Sequence, residues 1–474
     1  MKYKRAICWF RNDLRLHDQE ALAQALRQAE EVIPVFCVDP RTYQKTPLNL
    51  DKTGSFRAAF IHESLQDLKY NLQVKGADLI VLKGLPEEVL VDFAVLHQVQ
   101  AIYFSQEATA EELHVEGSLE EAANTKGIVT QSVWQATLFH LEDLPFPIYQ
   151  LPEVFTTFRK ACEKQSHIRP VIPAPDRIPF PTDITSIGKI PGLQDLGLES
   201  TEPHENAVLS FKGGETEGLK RVTHYLWETD SIANYKHTRN GLLGADYSSK
   251  FSAWLSVGSL SPRWIYTEIR KYEKEVEKNE STYWLIFELI WRDYFRFVAK
   301  KHGNSIFKRW GIQPDNRPWK QDKELFMTWA EGMTGVPFID ANMRELNQTG
   351  FMSNRGRQLV ASFLANDMEL DWTWGAAYFE SKLIDYDVCS NWANWMYVAG
   401  VGNDPRADRY FNLLTQAKNY DPKGDYVRLW IPELRAIPGF DIHRPDQLSK
   451  NKLLSLGIHL GLDYPRMVVK PKIW

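Results

Sequence analysis

The 474-residue chain has only four cysteines, Cys8, Cys37, Cys162 and Cys389, and no CxxC pair. Such spacing supports neither a metal site nor a disulfide framework, so a reducing, cytoplasmic setting is expected. No apolar run approaches the ~18 residues that mark a membrane span. The candidate WLIFELIW is shorter and carries Glu288, so no membrane partner is expected. The opening MKYKRAICWFRNDLR starts like a secretory leader, but its apolar run breaks at Arg11. No organelle-targeting extension precedes the first apolar run, which again leads to the expectation of a cytoplasmic protein. Excess positive charge is missing too. A net charge of −5 excludes a globally basic nucleic-acid binder, though not a local basic groove. Finally, the glycine signatures of nucleotide loops are absent. There is no GxGxxG after the first apolar run and no GxxxxGK[ST] anywhere, which leaves a dark, dinucleotide-dependent oxidoreductase without support.

What is present is a globular composition, 43% hydrophobic, on a chain long enough for two domains. Residues 1–135 alternate between two kinds of segment. RAICWF, EVIPVFCV, ADLIVLKG, QAIYFS and GIVTQSVW read as buried strands; QEALAQALRQA and PEEVLVDFAVLHQV have helical period. Strands alternating with helices predict an α/β domain with a doubly wound, parallel, five-stranded sheet. Residues 136–205 are Pro-rich, as in RPVIPAPDRIPFP, and predict a long connector laid over the surface. Residues 206–474 have helical period almost throughout and predict a larger, all-α domain.

Four segments of the helical half concentrate polar chemistry. In SKLIDYDVCSNWANWMYVAG, a helix over 387–397 would put Asp387, Asn391 and Trp395 on one stripe, with Asp385 just before it. A carboxylate, an amide and an indole in line suit a flat, polar, aromatic ligand. The alternative is that Asp387 merely caps a helix. GFMSNRGRQLVASF places Asn354, Arg357 and Gln358 on one face and Arg355 to the side. WLIFELIWRDYFRF spaces Glu288, Trp291 and Arg292 at i, i+3 and i+4, where Glu288 and Arg292 form either an ion pair or part of a site. YSSKFSAWLSVGSLSP offers Ser248, Ser249 and Ser252 near a helix start, chemistry that suits a phosphate or pyrophosphate.

These segments, together with WFRNDLRLHD, FKGGETEGL and TGVPFIDANMRELNQTG, stand in an order that resembles the cryptochrome/photolyase family. The GFMSNRGRQ and YDVCSNW runs are most similar to its DASH cryptochromes. The resemblance implies bent FAD inside the helical domain. Tyr235, Ser248, Ser249, Lys250, Phe251 and Ser252 would hold the phosphates and neighbouring parts. Asn354, Arg357, Asp385, Asp387 and Asn391 would line the flavin, with Arg357 paired to Asp385 and Asn391 facing the reactive nitrogen. Trp319, Trp372 and Trp395 match the family's electron-transfer chain; core packing is the other reading of each.

Glu288, Trp291, Asn354 and Arg355 match the lesion pocket of enzymes that repair cyclobutane pyrimidine dimers, and Arg292, Gln358 and Tyr397 match its DNA-facing rim. Lys250 and Arg406 would lie near the DNA as well. Gln358 and Tyr397 replace the Met and Trp of duplex-repair enzymes. The pocket loses stacking surface, worth about 1–3 kcal/mol per base, and a preference for lesions in single-stranded DNA is expected. An antenna pigment, 5,10-methenyltetrahydrofolate, would lie between the domains with Glu63 as a contact; the other reading of Glu63 is a helix-surface glutamate. The expected protein is thus a monomeric, blue-light-dependent repair flavoprotein acting on DNA. A signalling photoreceptor without significant repair remains the alternative.

Overall fold

The structure, a computed structural model, describes residues 2–313, 317–404 and 410–474. Five parallel strands are paired in the order β3-β2-β1-β4-β5: β1 Tyr3–Phe10, β2 Ala29–Val38, β3 Ile80–Lys83, β4 Ala101–Ser105 and β5 Val129–Val133. Each matches one of the five apolar runs. Period-2 alternation divides β1 between two cores. Ala6, Cys8 and Phe10 pack with α1 (Glu20–Gln28) and α2 (Ser55–Val74), and this core is continuous with that of the helical half. Ile7 and Trp9 face α3 (Pro86–Leu96) and α4 (Ala110–Thr125). All four cysteines are free and buried.

The expected connector has one helix that its weak periodicity did not announce, α5 (Phe155–Gln165). Its later part, residues 172–187, follows the α/β domain. Asp18 N–H donates to the Ile172 carbonyl, Val32 N–H to Pro179 and Val81 N–H to Ile187, at 2.7, 2.8 and 2.7 Å. Gly188 lets this last strand of chain lie close: at φ +76°, a Cβ there would sit 2.1 Å from the Val81 carbonyl oxygen.

The helical half comprises α6 (Glu215–Thr223), the short α7 (Tyr235–Thr238) and α8 (Ser252–Ser256), then α9 (Pro262–Glu275), α10 (Glu280–His302), α11 (Lys323–Ala330), α12 (Pro337–Thr349), α13 (Asn354–Ser362), α14 (Trp372–Lys382) and α15 (Val388–Ala399), with smaller helices beyond. The long α10 opens with an Asn279/Thr282 capping box and has Lys300, Lys301 and His302 in its last turn, which complements the helix dipole at both ends. Its Asp293 is fully buried and accepts the Leu138 and Phe139 amides at 2.9 and 2.8 Å, hooking the connector onto the helix. Burial pushes this carboxyl up to about 7 against those two bonds. Among the described residues no helix is long and apolar enough to cross a membrane.

FRNDLRLHD, which occupies the place of a phosphate loop after β1, is instead a clasp between the two halves. Arg15 donates to the carbonyls of His17, Asp18 and Gly258. Glu215 accepts the Leu16 and His17 amides and pairs with the His17 ring at 2.5 Å. Asp18, completely buried, pairs with Arg263 at 2.7 Å and accepts from Ser261. Buried charges survive only with such full pairing.

Candidate active site

One cavity is walled by Asn354, Arg357 and Gln358 of α13, by Asp385 and Tyr386, and by Asp387, Asn391, Asn394 and Trp395. Residues from two separate sequence segments thus meet around one space, on the faces that their helical spacing predicts. Asp387 caps α15 by accepting the Ser390 amide at 2.7 Å, so the capping reading is correct, and yet its side chain also lines the cavity. Its other oxygen pairs with Arg296 at 2.6 Å, and Arg296 reaches Glu107 of the α/β domain at 2.8 Å. Burial pushes the Asp387 carboxyl up, but Arg296, Arg292 and the Ser390 amide outweigh it and hold it at about 2. Arg296 escaped the sequence reading, because its partners come from positions 107 and 387.

The Arg357 guanidinium makes two bonds to the Asp385 carboxylate at 3.0 and 2.9 Å, as the pairing of these residues predicts. Asn391, largely buried, donates Nδ2–H to the Ala376 carbonyl at 3.0 Å, which fixes the amide's orientation against the cavity. The Phe351 ring joins this wall to the serine-rich segment, since Arg357 and Lys250 lie 5.5 and 5.8 Å from its centre. Tyr235 and Phe251 are buried edge-on to Tyr225. Arg221 ties the segment down by donating to the Ser248 and Ser249 carbonyls. Ser252 begins α8.

Lys250 is only 3% exposed and takes the left-handed conformation, φ +57°. Its ammonium lies 3.3 Å from the Tyr247 ring centre and 3.5 Å from the Ser248 hydroxyl, and makes no salt bridge among the described residues. Burial and the neighbouring Arg221 lower it to about 7. A buried cation short of an anion, flanked by hydroxyls, fits the phosphates of a dinucleotide such as FAD. It is therefore not on a DNA-facing surface, contrary to the sequence expectation. Arg406, the other residue expected there, lies outside the described residues.

Beside the cavity, residues 239 and 240 gather two further groups. Arg239 pairs with Glu288 at 2.9 Å, while the Asn240 side chain accepts from Arg355 at 3.2 Å. Arg355 also donates to Gln358 at 2.8 Å. Glu288 accepts from the Trp284 indole at 3.1 Å, and burial pushes its carboxyl up. Its i,i+4 pair with Arg292 does not form. Arg292 turns inward and donates to the Ala136 and Leu255 carbonyls at 2.5 and 3.1 Å, so the expected DNA contact is corrected to a brace between connector and helical domain. Trp291 stacks on Phe155, with ring centres 3.5 Å apart, and meets Tyr397 edge-on at 5.9 Å. One face of the expected lesion platform is thus covered by the connector.

The three expected electron-transfer indoles differ in burial. Trp395 lines the cavity and is 2% exposed, Trp372 is fully buried, and Trp319 is half-buried. Trp372 and Trp319 both donate to the Arg309 carbonyl, at 2.9 and 3.2 Å. Gly375, one turn along α14 from Trp372, makes room for Trp395: a Cβ there would lie 2.2 Å from the indole edge. Gly375→Ala is therefore expected to cost stability. Overpacking of about 1–3 kcal/mol exceeds a helix-propensity gain of at most about 1 kcal/mol. Denaturant unfolding and flavin content check this; full flavin content at unchanged stability would show that the ring has slack.

Glu63 of α2 accepts the Gly213 amide at 2.6 Å, with Ser64 and Asp67 taking the Gly214 and Thr216 amides. One of its oxygens thus holds the seam, and it is not an ordinary helix-surface glutamate.

Comparisons with known proteins agree with this architecture. The family model for DNA photolyase matches residues 6–178, and that for the FAD binding domain of DNA photolyase matches residues 284–473. A cryptochrome DASH of Gloeobacter violaceus is 51% identical, over 99% of this chain and 94% of the relative. The crystal structure of a Synechocystis cryptochrome, 49% identical, superposes with a TM-score of 0.95 over 99% of this chain and 96% of that one. A class III photolyase of Agrobacterium tumefaciens, 28% identical, gives 0.87 over 99% and 95%. An α/β domain clasped to a helical FAD-binding domain, in a chain about half identical along its length to the Gloeobacter and Synechocystis cryptochromes, makes this protein a member of the cryptochrome/photolyase family, in its cryptochrome DASH branch.

Proposed function

We propose that this flavoprotein repairs cyclobutane pyrimidine dimers in a light-dependent reaction and prefers single-stranded DNA. The reading is supported by Gln358, which walls the cavity with Asn354 and Asn391 and holds Arg355. It is supported too by Arg239 and Asn240, neighbours in sequence that bond Glu288 and Arg355, and by Trp291, one turn along α10 from Glu288, which meets Tyr397 of α15. When bound and photoexcited in its reduced form, FAD supplies the electron that splits the dimer. Lys250, with Ser248, Ser249 and Ser252, would hold its phosphates, and Tyr235 and Phe251 would pack neighbouring parts. Arg357, Asp385 and Asp387 would position the ring. An amide at Asn391 can hydrogen-bond the ring but cannot act as an acid toward it.

The lesion would enter beside this ring. Glu288, its carboxyl pushed up by burial, would hydrogen-bond a base edge together with Asn354, and Trp291 would stack through the face that Phe155 leaves open. Arg355 and Gln358 would form the rim on the DNA side. Flipping the dimer out of a duplex costs a few kcal/mol. With Tyr397 edge-on to Trp291, the pocket recovers less of that cost by stacking, while a single strand does not incur it in full. Trp395, Trp372 and Trp319 would relay electrons from the surface. A 5,10-methenyltetrahydrofolate antenna would occupy the seam, where Glu63 has one oxygen beyond the bond to Gly213.

The test is a repair assay on an oligonucleotide with one thymine dimer, single-stranded and duplex, under blue light and in the dark. Thymine restored chiefly in the illuminated single strand is the expected result. Equal repair of both substrates would remove the strand preference. No repair, with flavin bound and photoreducible, would leave the photoreceptor reading, which needs only the indole relay.

A further inference from the structure

Tyr386 stands between the two carboxylates of the cavity wall and is itself part of that wall. Its hydroxyl accepts the Trp392 indole N–H at 3.2 Å. Trp392 meets Trp372 edge-on at 5.9 Å. Tyr386 is therefore one indole away from the middle member of the tryptophan relay. The Glu380 carboxyl is a near electrostatic neighbour of this hydroxyl; the hydroxyl lowers the carboxyl's pKa and the carboxyl raises the phenol's. The Arg57 guanidinium, from α2 of the other domain, lies 4.5 Å from the centre of the Tyr386 ring. It is 7% exposed and held by the Lys52 carbonyl and, at 3.0 Å, by the Thr53 hydroxyl.

A phenol gives up an electron readily only when its proton leaves with it. A neighbouring carboxylate supplies the acceptor, and burial, by pushing Glu380 up, strengthens it as a base. The Arg57 cation opposes positive charge on the ring, which disfavours loss of the electron alone.

We propose that Tyr386 is a proton-coupled electron donor to the oxidised tryptophan relay, with Glu380 as its proton acceptor. The inference rests on the flavin–tryptophan reading above. The oxidant is the tryptophan radical cation left at Trp372 when light draws an electron toward the flavin. One electron passes from Tyr386 through Trp392 to that indole. The phenolic O–H bond breaks and its proton goes to a Glu380 oxygen. A radical cation, a phenol and a carboxylate become a neutral indole, a neutral tyrosyl radical and a carboxylic acid, so charge and electrons balance. The hole then resides in the wall of the flavin cavity, where return of the electron is slowed by the need to return the proton.

The test uses flavin-loaded protein, flash illumination, and transient absorption with freeze-quench electron paramagnetic resonance. In the wild type, the tryptophan radical is expected to decay into a tyrosyl radical whose spectrum narrows with ring-deuterated tyrosine. Tyr386→Phe is expected to abolish that radical and to prolong the tryptophan radical severalfold. Glu380→Gln keeps a side chain of similar size but removes the base; it is expected to slow tyrosyl formation severalfold, with partial recovery in Glu380→Asp. Flavin occupancy in each variant reports that the fold is intact. A tyrosyl radical of equal yield in Tyr386→Phe overturns the inference, as does a wild type that forms tryptophan radicals and no tyrosyl radical. If no tryptophan radical forms at all, the relay itself fails, and this inference with it.

Discussion

Arg296→Met is expected to destabilise the protein by about 3–5 kcal/mol, because two carboxylates would remain buried without their cation. Glu107 and Asp387 both depend on that guanidinium, at 2.8 and 2.6 Å, and all three side chains are less than a tenth exposed. The loss has a pH signature. The folded value for Asp387, about 2, lies below its unfolded value of about 4. Its contribution is thus complete above about pH 4 and is lost as pH falls toward 2. Without Arg296 the folded value rises, and acid unfolding should begin at higher pH. Denaturant and acid titrations of the two proteins check both statements. Adding Glu107→Gln to the variant should return part of the loss by removing one stranded charge. A variant within about 1 kcal/mol of wild type would mean that solvent reaches the cluster, contrary to its burial.

The second large effect concerns Glu288. Glu288→Ala is expected to lower light-driven repair by roughly 10–100-fold, the equivalent of one hydrogen bond to a charged group at about 1.5–3 kcal/mol. Flavin content should be retained, since Glu288 is not among the residues that wall the cavity proposed for the flavin. Measuring KM and kcat separately locates the loss: binding if the carboxyl only holds the lesion, turnover if its bond strengthens as the dimer splits. Repair at the wild-type rate would remove Glu288 from the pocket and leave it as the partner of Arg239 and Trp284.

Much of this molecule can be read from local pattern. β1, β2 and β4 were legible because a strand covered on both faces is apolar at nearly every position, whereas the run GIVTQSVW became the edge strand β5, which is largely exposed or half-buried rather than buried. Asp387, Asn391 and Trp395 reached one cavity because a helix repeats every 3.6 residues. What escaped has a common cause. Arg296 meets Glu107 and Asp387, and Asp18 meets Arg263; such partners are chosen by how domains dock, not by spacing. Arg292 shows the same limit. Its position on α10 was legible, but whether it faced DNA or the connector depended on where Ala136 and Leu255 came to rest. The apolar flanks of Glu288 announced a setting inside the helical half, where it is half-buried, but not its partner Arg239, which comes from a separate short helix region.

The clasp after β1 also orders events in time. During synthesis the α/β domain emerges first, and its βα units need only near neighbours to form. Arg15 and Asp18, however, must wait for Gly258 and Arg263, which lie 243 and 245 residues further along. Until the ribosome has delivered α9, that domain carries charged groups built for a partner not yet made. Closure over such a loop is slow, because chain entropy is spent before any contact is gained. Refolding should then show a fast phase for the sheet and a slow one for docking, and the cavity proposed for the flavin, whose Asp387 is steadied across the seam from Glu107 through Arg296, should mature only in the second.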